Sequence, residues 1–204
     1  MRPRKPTSLA AIHATARQLL DDLQQHSEET GVHSRRLCSL AHRLALTMGL
    51  PVEERIVLRY GTMLHDVGKL DVPLEVLHKE TNLTPPELQI LRKHSEDGAT
   101  IARLRQLPEP VCHAILFHHE RYDGAGYPYG LKGEAIPLAA RIIAVVDTFD
   151  TIVNKRCYRD ARAVEVARAE IVRCAGTQFD PHVAQSFVGL LEVIAAQGAR
   201  LAAA

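Results

Sequence analysis

Apolar residues recur at helical spacing along most of the chain, and nowhere do they alternate convincingly as in a half-buried strand. Leu9, Ile12, Ala16, Leu19, Leu20 and Leu23 form one stripe, which predicts a first helix from an N-cap at Ser8 to about Gln25. A second helix opens within HSEETGVHSRRLCSLAHRLALTMGL and is ended by Gly49 and Pro51. Ile56, Tyr60, Met63, Leu64 and Val67 mark a third, with Gly68 as its expected stop. DVPLEVLHKETNLT reads as a loop up to a cap at Thr84 and the pair Pro85-Pro86, after which one helix runs to about Leu104. Pro108 and Pro110 start another, which closes on His118-His119. The next fifteen or so residues are rich in Gly, Tyr and Pro, and loops of that length in a compact domain are usually functional or disordered. A long helix from Pro137 and two more near 162–174 and 181–197 complete the pattern. Residues 1–7, basic with two prolines, read as a disordered lead-in. The expected fold class is all-α.

Length and composition narrow the class. A chain of 204 residues with 46% apolar and 24% charged residues is long enough for one domain with a sizeable core. Its net charge, 25 − 24 = +1, argues against gripping a nucleic-acid duplex through a basic face, but leaves room for a small phosphorylated ligand. Cys38, Cys112, Cys157 and Cys174 are scattered without a CxxC, which fits a reducing compartment. His13 and Arg17 interrupt the apolar part of the first helix, so it does not read as a signal peptide, and no stretch approaches a membrane span. The cytoplasm is the expected location.

Against this ordinary background the histidines and acids stand out. His65-Asp66 is followed by Gly68 and Lys69; His118 and His119 are adjacent; His94 lies between, and Asp147 sits inside the apolar run IIAVVDTF. A buried carboxylate is costly unless it is paired or holds a metal, although on a helix Asp147 could also be an exposed or capping acid. Singly, His33 or His94 is more often a surface or satisfied core residue, and Lys69 a solvated charge. Together, nitrogen and oxygen donors without thiolates suit iron, manganese or zinc. His33, His65, Asp66, His94, His118, His119 and Asp147 are more donors than one tetrahedral ion takes. Asp66 could bridge two ions roughly 3.5–4 Å apart, the spacing of two-metal phosphoesterases. Glu29, four residues before His33, would share its helix face. His13, His26, His42, His78, His113 and His182 carry no comparable pattern.

These residues resemble the HD-GYP family, a branch of the HD superfamily of metal-dependent phosphohydrolases. The matching pieces are HSRRL at 33–37, HDVGKLDVP at 65–73, KHSEDG at 93–98, HHERYDGAGYPYGLKGEAIP at 118–137, ARIIAVVDTFD at 140–150 and GTQFDP at 176–181. The resemblance implies a helical bundle of the HD type, with residues 1–28 as a tail and helix, 29–198 as the domain and 199–204 as a tail. It implies a phosphodiesterase that opens cyclic di-GMP to pGpG, and onward to GMP, through a metal-bridged hydroxide. Asp66 and Lys69 would be the catalytic residues. His33, His65, Asp66 and Asp147 would hold one ion, and His94, His118 and His119 a second bridged by Asp66. Glu29 would contribute to a third. Lys69, Arg156 and Arg159 would bind substrate, with Asp123, Gly124, Gly126, Tyr127 and Pro128 forming the GYP loop. Two or three divalent ions, iron or manganese before others, are the implied cofactors.

Departures from the family pattern are few. Gly61 stands where alanine is usual and is expected to loosen its helix by about 0.5–1 kcal/mol. ETNLT replaces the usual PGKLT after Lys79, Cys157 replaces a proline, and Thr151 a common alanine. Family members commonly carry a receiver or sensory domain ahead of this part. With residues 1–28 alone preceding it here, a stand-alone enzyme or control by another chain is expected. The implied partner is a GGDEF-domain or other regulatory protein meeting the GYP loop or the first helix, with homodimerisation left open. Two other readings remain: a catalytically silent sensor of cyclic di-GMP, and a phosphohydrolase for a different cyclic dinucleotide.

Overall fold

The computed structural model describes residues 8–155 and 161–202. Among these there is no strand, only a single bridge between Ala175 and Phe179, and the all-α expectation holds. The helices are α1 (Leu9–His26), α2 (Glu28–Thr47), α3 (Val52–Leu64), α4 (Leu74–Leu77), α5 (Pro85–Arg92), α6 (His94–Leu104), α7 (Glu109–Phe117), α8 (Leu138–Lys155), α9 (Ala161–Arg173) and α10 (Pro181–Ala202). Two 3-10 turns, Val67–Asp71 and Gly133–Ala135, join them.

Local signals set most of the boundaries. Ser8 caps α1 by accepting the Ala11 N–H. Gly49, at φ 69°, closes α2: its N–H meets the Leu46 carbonyl and Leu50 N–H the Ala45 carbonyl, a left-handed exit that glycine adopts without strain. Thr84 and Glu87 form a capping box ahead of Pro85-Pro86 in α5, and Glu87 also binds Lys79 through both carboxylate oxygens.

Three expectations need correction. The third helix ends at Leu64, not at Gly68, so His65 and Asp66 lie just past its end and Gly68 lies inside the 3-10 turn. A Cβ at Gly68 would fall 2.0 Å from the His94 carbonyl oxygen and 2.5 Å from Gly98 N; glycine is there for a close backbone crossing, not for a stop. The helix expected from Pro85 to Leu104 is two helices, broken at Lys93. The supposed loop after Val72 contains the one-turn α4.

Two apolar clusters fill the bundle. One gathers Leu37, Leu44, Leu58, Ile142, Ile143, Val146, Ile171 and Phe187 from α2, α3, α8, α9 and α10, with Phe179 from the turn before α10. The other gathers Ile12, Ala16, Leu19, Leu20, Tyr60, Leu64, Val67 and Ile115, so α1 is a core helix. Each fully buried leucine or isoleucine contributes about 1.5–3 kcal/mol. Helices α3 and α7 supply both clusters and cross where a Cβ on Gly61 would lie 2.6 Å from Ala114 Cβ. Gly61 therefore permits this packing, contrary to its expected loosening effect. Gly61→Ala should destabilise the protein by about 1–3 kcal/mol despite alanine's better helix propensity. Urea unfolding checks this, and Ala114→Gly on that background should recover part of the loss.

Candidate metal centre

Helices α3, α5 and α7 end close together, and a histidine follows each end. The last carbonyls of a helix lack intrahelical partners. His65 Nδ1 lies 2.9 Å from the Thr62 carbonyl, His94 Nδ1 2.6 Å from that of Leu91, and His118 Nδ1 2.6 Å from that of Ile115. A carbonyl only accepts, so Nδ1 carries the proton in all three rings and Nε2 presents a lone pair. The break at Lys93 thus places His94 where it can satisfy the end of α5.

The lone pairs converge. His94 Nε2 is 3.3 Å from His118 Nε2 and 3.1 Å from His119 Nε2. Burial, reinforced by His65 and His94, pushes His118 down to about 3. Burial also lowers His94, with Lys69 and His65 adding to it against Asp66, and lowers His119 together with His118 and His94. Neutral imidazoles at neutral pH are ready ligands. The negative ends of the three helix dipoles lie behind them, which further favours a cation.

A second set lies beside the first: His33, His65 and Asp66 offer ligand atoms within 4.8 Å of one another, as do His94, His118 and His119. Asp66 leaves the helix at φ −97°, ψ 7°, and its carboxylate is buried. One oxygen, Oδ2, is 3.3 Å from His65 Nε2; the other, Oδ1, is 3.4 Å from His94 Nε2. Lys69 Nζ donates to Oδ2 at 2.7 Å. Burial opposes the charge on Asp66, but His65 and Lys69 outweigh it and hold the carboxyl well below its usual range. Burial likewise opposes the Lys69 charge, and Asp66 more than offsets it.

His33 is held differently. Its Nε2 is 3.0 Å from Asp147 Oδ1 and its Nδ1 2.7 Å from Asp150 Oδ2. Burial disfavours the imidazolium, but the two carboxylates prevail and raise His33 to about 9. Asp147 opens onto the cavity, whereas Asp150 is buried and receives Arg36 through Nε at 3.0 Å and Nη2 at 2.8 Å, with the Asn154 amide at 2.9 Å. The sequence reading missed Asp150, Arg36 and Asn154. Their signal was spacing: Arg36 lies three residues after His33, and Asp150 three after Asp147, so each faces the same way as its candidate ligand.

These residues line a cavity of about 370 Å³ together with Glu29, Thr30, Leu77, Leu91 and His119. Glu29 is exposed at its edge and belongs to neither donor set. His78, for which the sequence suggested no role, also lines it. Arg156 and Arg159 lie outside the described residues. The GYP loop folds back over His119. Buried Glu120, also missed, accepts the N–H groups of Tyr129 and Leu131, and Asp123 pairs with Arg121. Gly124 is at φ 87°, and Gly126 runs so close to Glu120 and Arg121 that a Cβ would lie 2.3 Å from Arg121 N. The loop also binds the GTQFDP turn through Tyr122 N–H to Gln178 O and Asp123 N–H to Thr177 O.

The donor set fits divalent metal: imidazole nitrogens and carboxylate oxygens, no thiolate, and a buried His65 Nε2 without a hydrogen-bond partner. Comparison with known proteins agrees. A family model described as the HD domain matches residues 15–183. The chain is 36% identical over 169 residues to 3'3'-cGAMP-specific phosphodiesterase 2 of Vibrio cholerae, covering 82% of this chain and 32% of that protein. It is 35% identical to a cyclic di-GMP phosphodiesterase of Thermotoga maritima (85% and 48% covered). To the cyclic di-GMP phosphodiesterase response regulator RpfG of Xanthomonas campestris it is 39% identical (74% and 41%). The chain thus spans about a third to a half of the length of these curated relatives. Among solved structures, the V. cholerae phosphodiesterase V-cGAP3 superposes with a TM-score of 0.64 at 23% identity, covering 90% of this chain and 49% of that one. The HD domain of Listeria monocytogenes PgpH gives 0.61 at 21% (86% and 98%), and both comparisons show the shared fold. The chain belongs to the HD-domain family, in its HD-GYP branch.

Removing the carboxylate that orients a ligating histidine commonly costs about 10–100-fold in metal affinity. Asp150→Ala should therefore weaken metal at the His33 side by that amount. Mn2+ titration of the chelator-stripped protein checks this, and Asp150→Asn, which keeps an acceptor for the Nδ1–H, should lose less.

Proposed function

We propose that this chain is a metal-dependent phosphodiesterase that opens cyclic di-GMP to pGpG and onward to GMP. The observation that carries the reading is the Asp66 carboxylate, whose two oxygens face two different donor sets. A carboxylate shared in this way would serve two ions, with His33, His65 and Asp147 holding one and His94, His118 and His119 the other. Iron or manganese, the ions the family resemblance implies, is compatible with these donors. When bound, such ions acidify a water and neutralise charge on the phosphate oxygens. No helix among the described residues is long and apolar enough to cross a membrane.

The chain's own residues do the rest. Lys69, anchored on Asp66 at the cavity, places a fixed positive charge against a non-bridging phosphate oxygen. The Asp150–Arg36 pair keeps His33 turned toward Asp147, and buried Glu120 keeps the GYP loop over His119. Glu29, which lines the cavity, would be the residue to contribute to a third ion.

Metal-loaded protein should convert cyclic di-GMP to pGpG or GMP, separated by chromatography. Asp66→Ala should reduce turnover to background and lower the metal content; turnover at the wild-type rate in that variant overturns the reading. Lys69→Met should lower kcat by about 10²-fold with metal content unchanged. The relative named for cGAMP is as similar as those named for cyclic di-GMP, which favours a second reading in which cGAMP is the substrate. Equal concentrations of the two in one reaction decide between them.

A further inference from the structure

His119 is the exception among the histidines of the site. His65, His94 and His118 are oriented by carbonyls and His33 by Asp150, but among the described residues no hydrogen bond reaches His119 Nδ1. Its ring meets His118 at 4.0 Å and 43° and His94 at 4.9 Å and 82°, but among the described residues the near-parallel stack is with Tyr127, at 4.8 Å between centroids and 25° between planes. The Tyr127 N–H also donates to the His119 carbonyl at 3.2 Å, and the Arg92 guanidinium lies over the tyrosine ring, 5.3 Å from its centroid.

The loop is built to hold the ring there. Glu120 ties down Tyr129 and Leu131 on one side, and the tight passage of Gly126 past Glu120 and Arg121 leaves the backbone no room to retreat. Tyr127 is half-buried, whereas the next aromatic, Tyr129, is 64% exposed. The loop thus turns one tyrosine inward and one outward.

We propose that Tyr127 is a positioning residue for His119. The stacked ring sets the imidazole plane, and with it the direction of Nε2 toward His94 and the cation they would share. This inference rests on the metal reading of the His94, His118 and His119 set. It also separates Tyr127 from the loop's outer surface, where Tyr129 is the aromatic available to a partner.

The test is calorimetric titration of chelator-stripped wild type, Tyr127→Phe and Tyr127→Ala with Mn2+, alongside melting of the metal-free proteins. Wild type and Tyr127→Phe should show the same two binding steps. Tyr127→Ala should weaken one step about 10-fold and leave the other unchanged. Should Tyr127→Ala melt far below wild type, Tyr127→Leu, which fills similar space without stacking, replaces it with the same loss expected. Wild-type affinity in the alanine or leucine variant overturns the proposal, as does an equal loss in Tyr127→Phe, which would assign the effect to the hydroxyl. A wild type that binds no metal overturns the underlying metal reading as well, which sets that failure apart from these.

Discussion

Unpaired carbonyls at three helix ends carry the hydrogen bonds on which the site depends. Thr62, Leu91 and Ile115 each offer an oxygen from the last turns of a helix, and each is taken by the Nδ1–H of the histidine three residues on. One interaction does two jobs: it caps the helix and fixes the tautomer that points Nε2 inward. Since the proton position follows from the helix end, the direction of the lone pairs follows from how α3, α5 and α7 are packed. The site is an outcome of helix placement more than of side-chain freedom.

That placement rests on small residues. The 3-10 turn after Asp66 crosses the start of α6 with Gly68 against the His94 carbonyl and Gly98, a contact that leaves no space for a Cβ on Gly68. Gly61 does the same for α3 and α7 at Ala114. Small side chains forgo apolar burial at these crossings, and they gain the short backbone separations that bring His65, Asp66, His94 and His118 together. Those four polar residues are all buried, which is tolerable because each is paired or faces the donor cluster.

The GYP loop and the GTQFDP turn form a second layer. Asp180 accepts the His182 and Val183 N–H groups at the start of α10 and pairs with Arg141 of α8. The same turn offers Thr177 and Gln178 carbonyls to the loop. Segments some fifty residues apart in sequence thereby hold the backbone that carries Tyr127 against His119.

Much of this was legible in the chain. Helical periodicity announced α1, α2, α3 and α8, the Ser8 cap and the Gly49 exit are local signals, and the HD and GYP motifs marked most of the residues that form the two donor sets. Local chemistry is readable because its partners lie within a few residues. Contacts between distant residues are not: nothing near Asp150 in sequence says that it meets His33, 117 positions away, and nothing near Gly61 says that Ala114 will press against it. The same limit explains why Gly68 read as a helix stop and why the stacking of Tyr127 on His119 was not foreseen. The sequence by itself determined which donors exist and which helices carry them. Tertiary structure decided which way each donor faces, because that direction is set by helix ends and ring stacks that exist only once the bundle has closed.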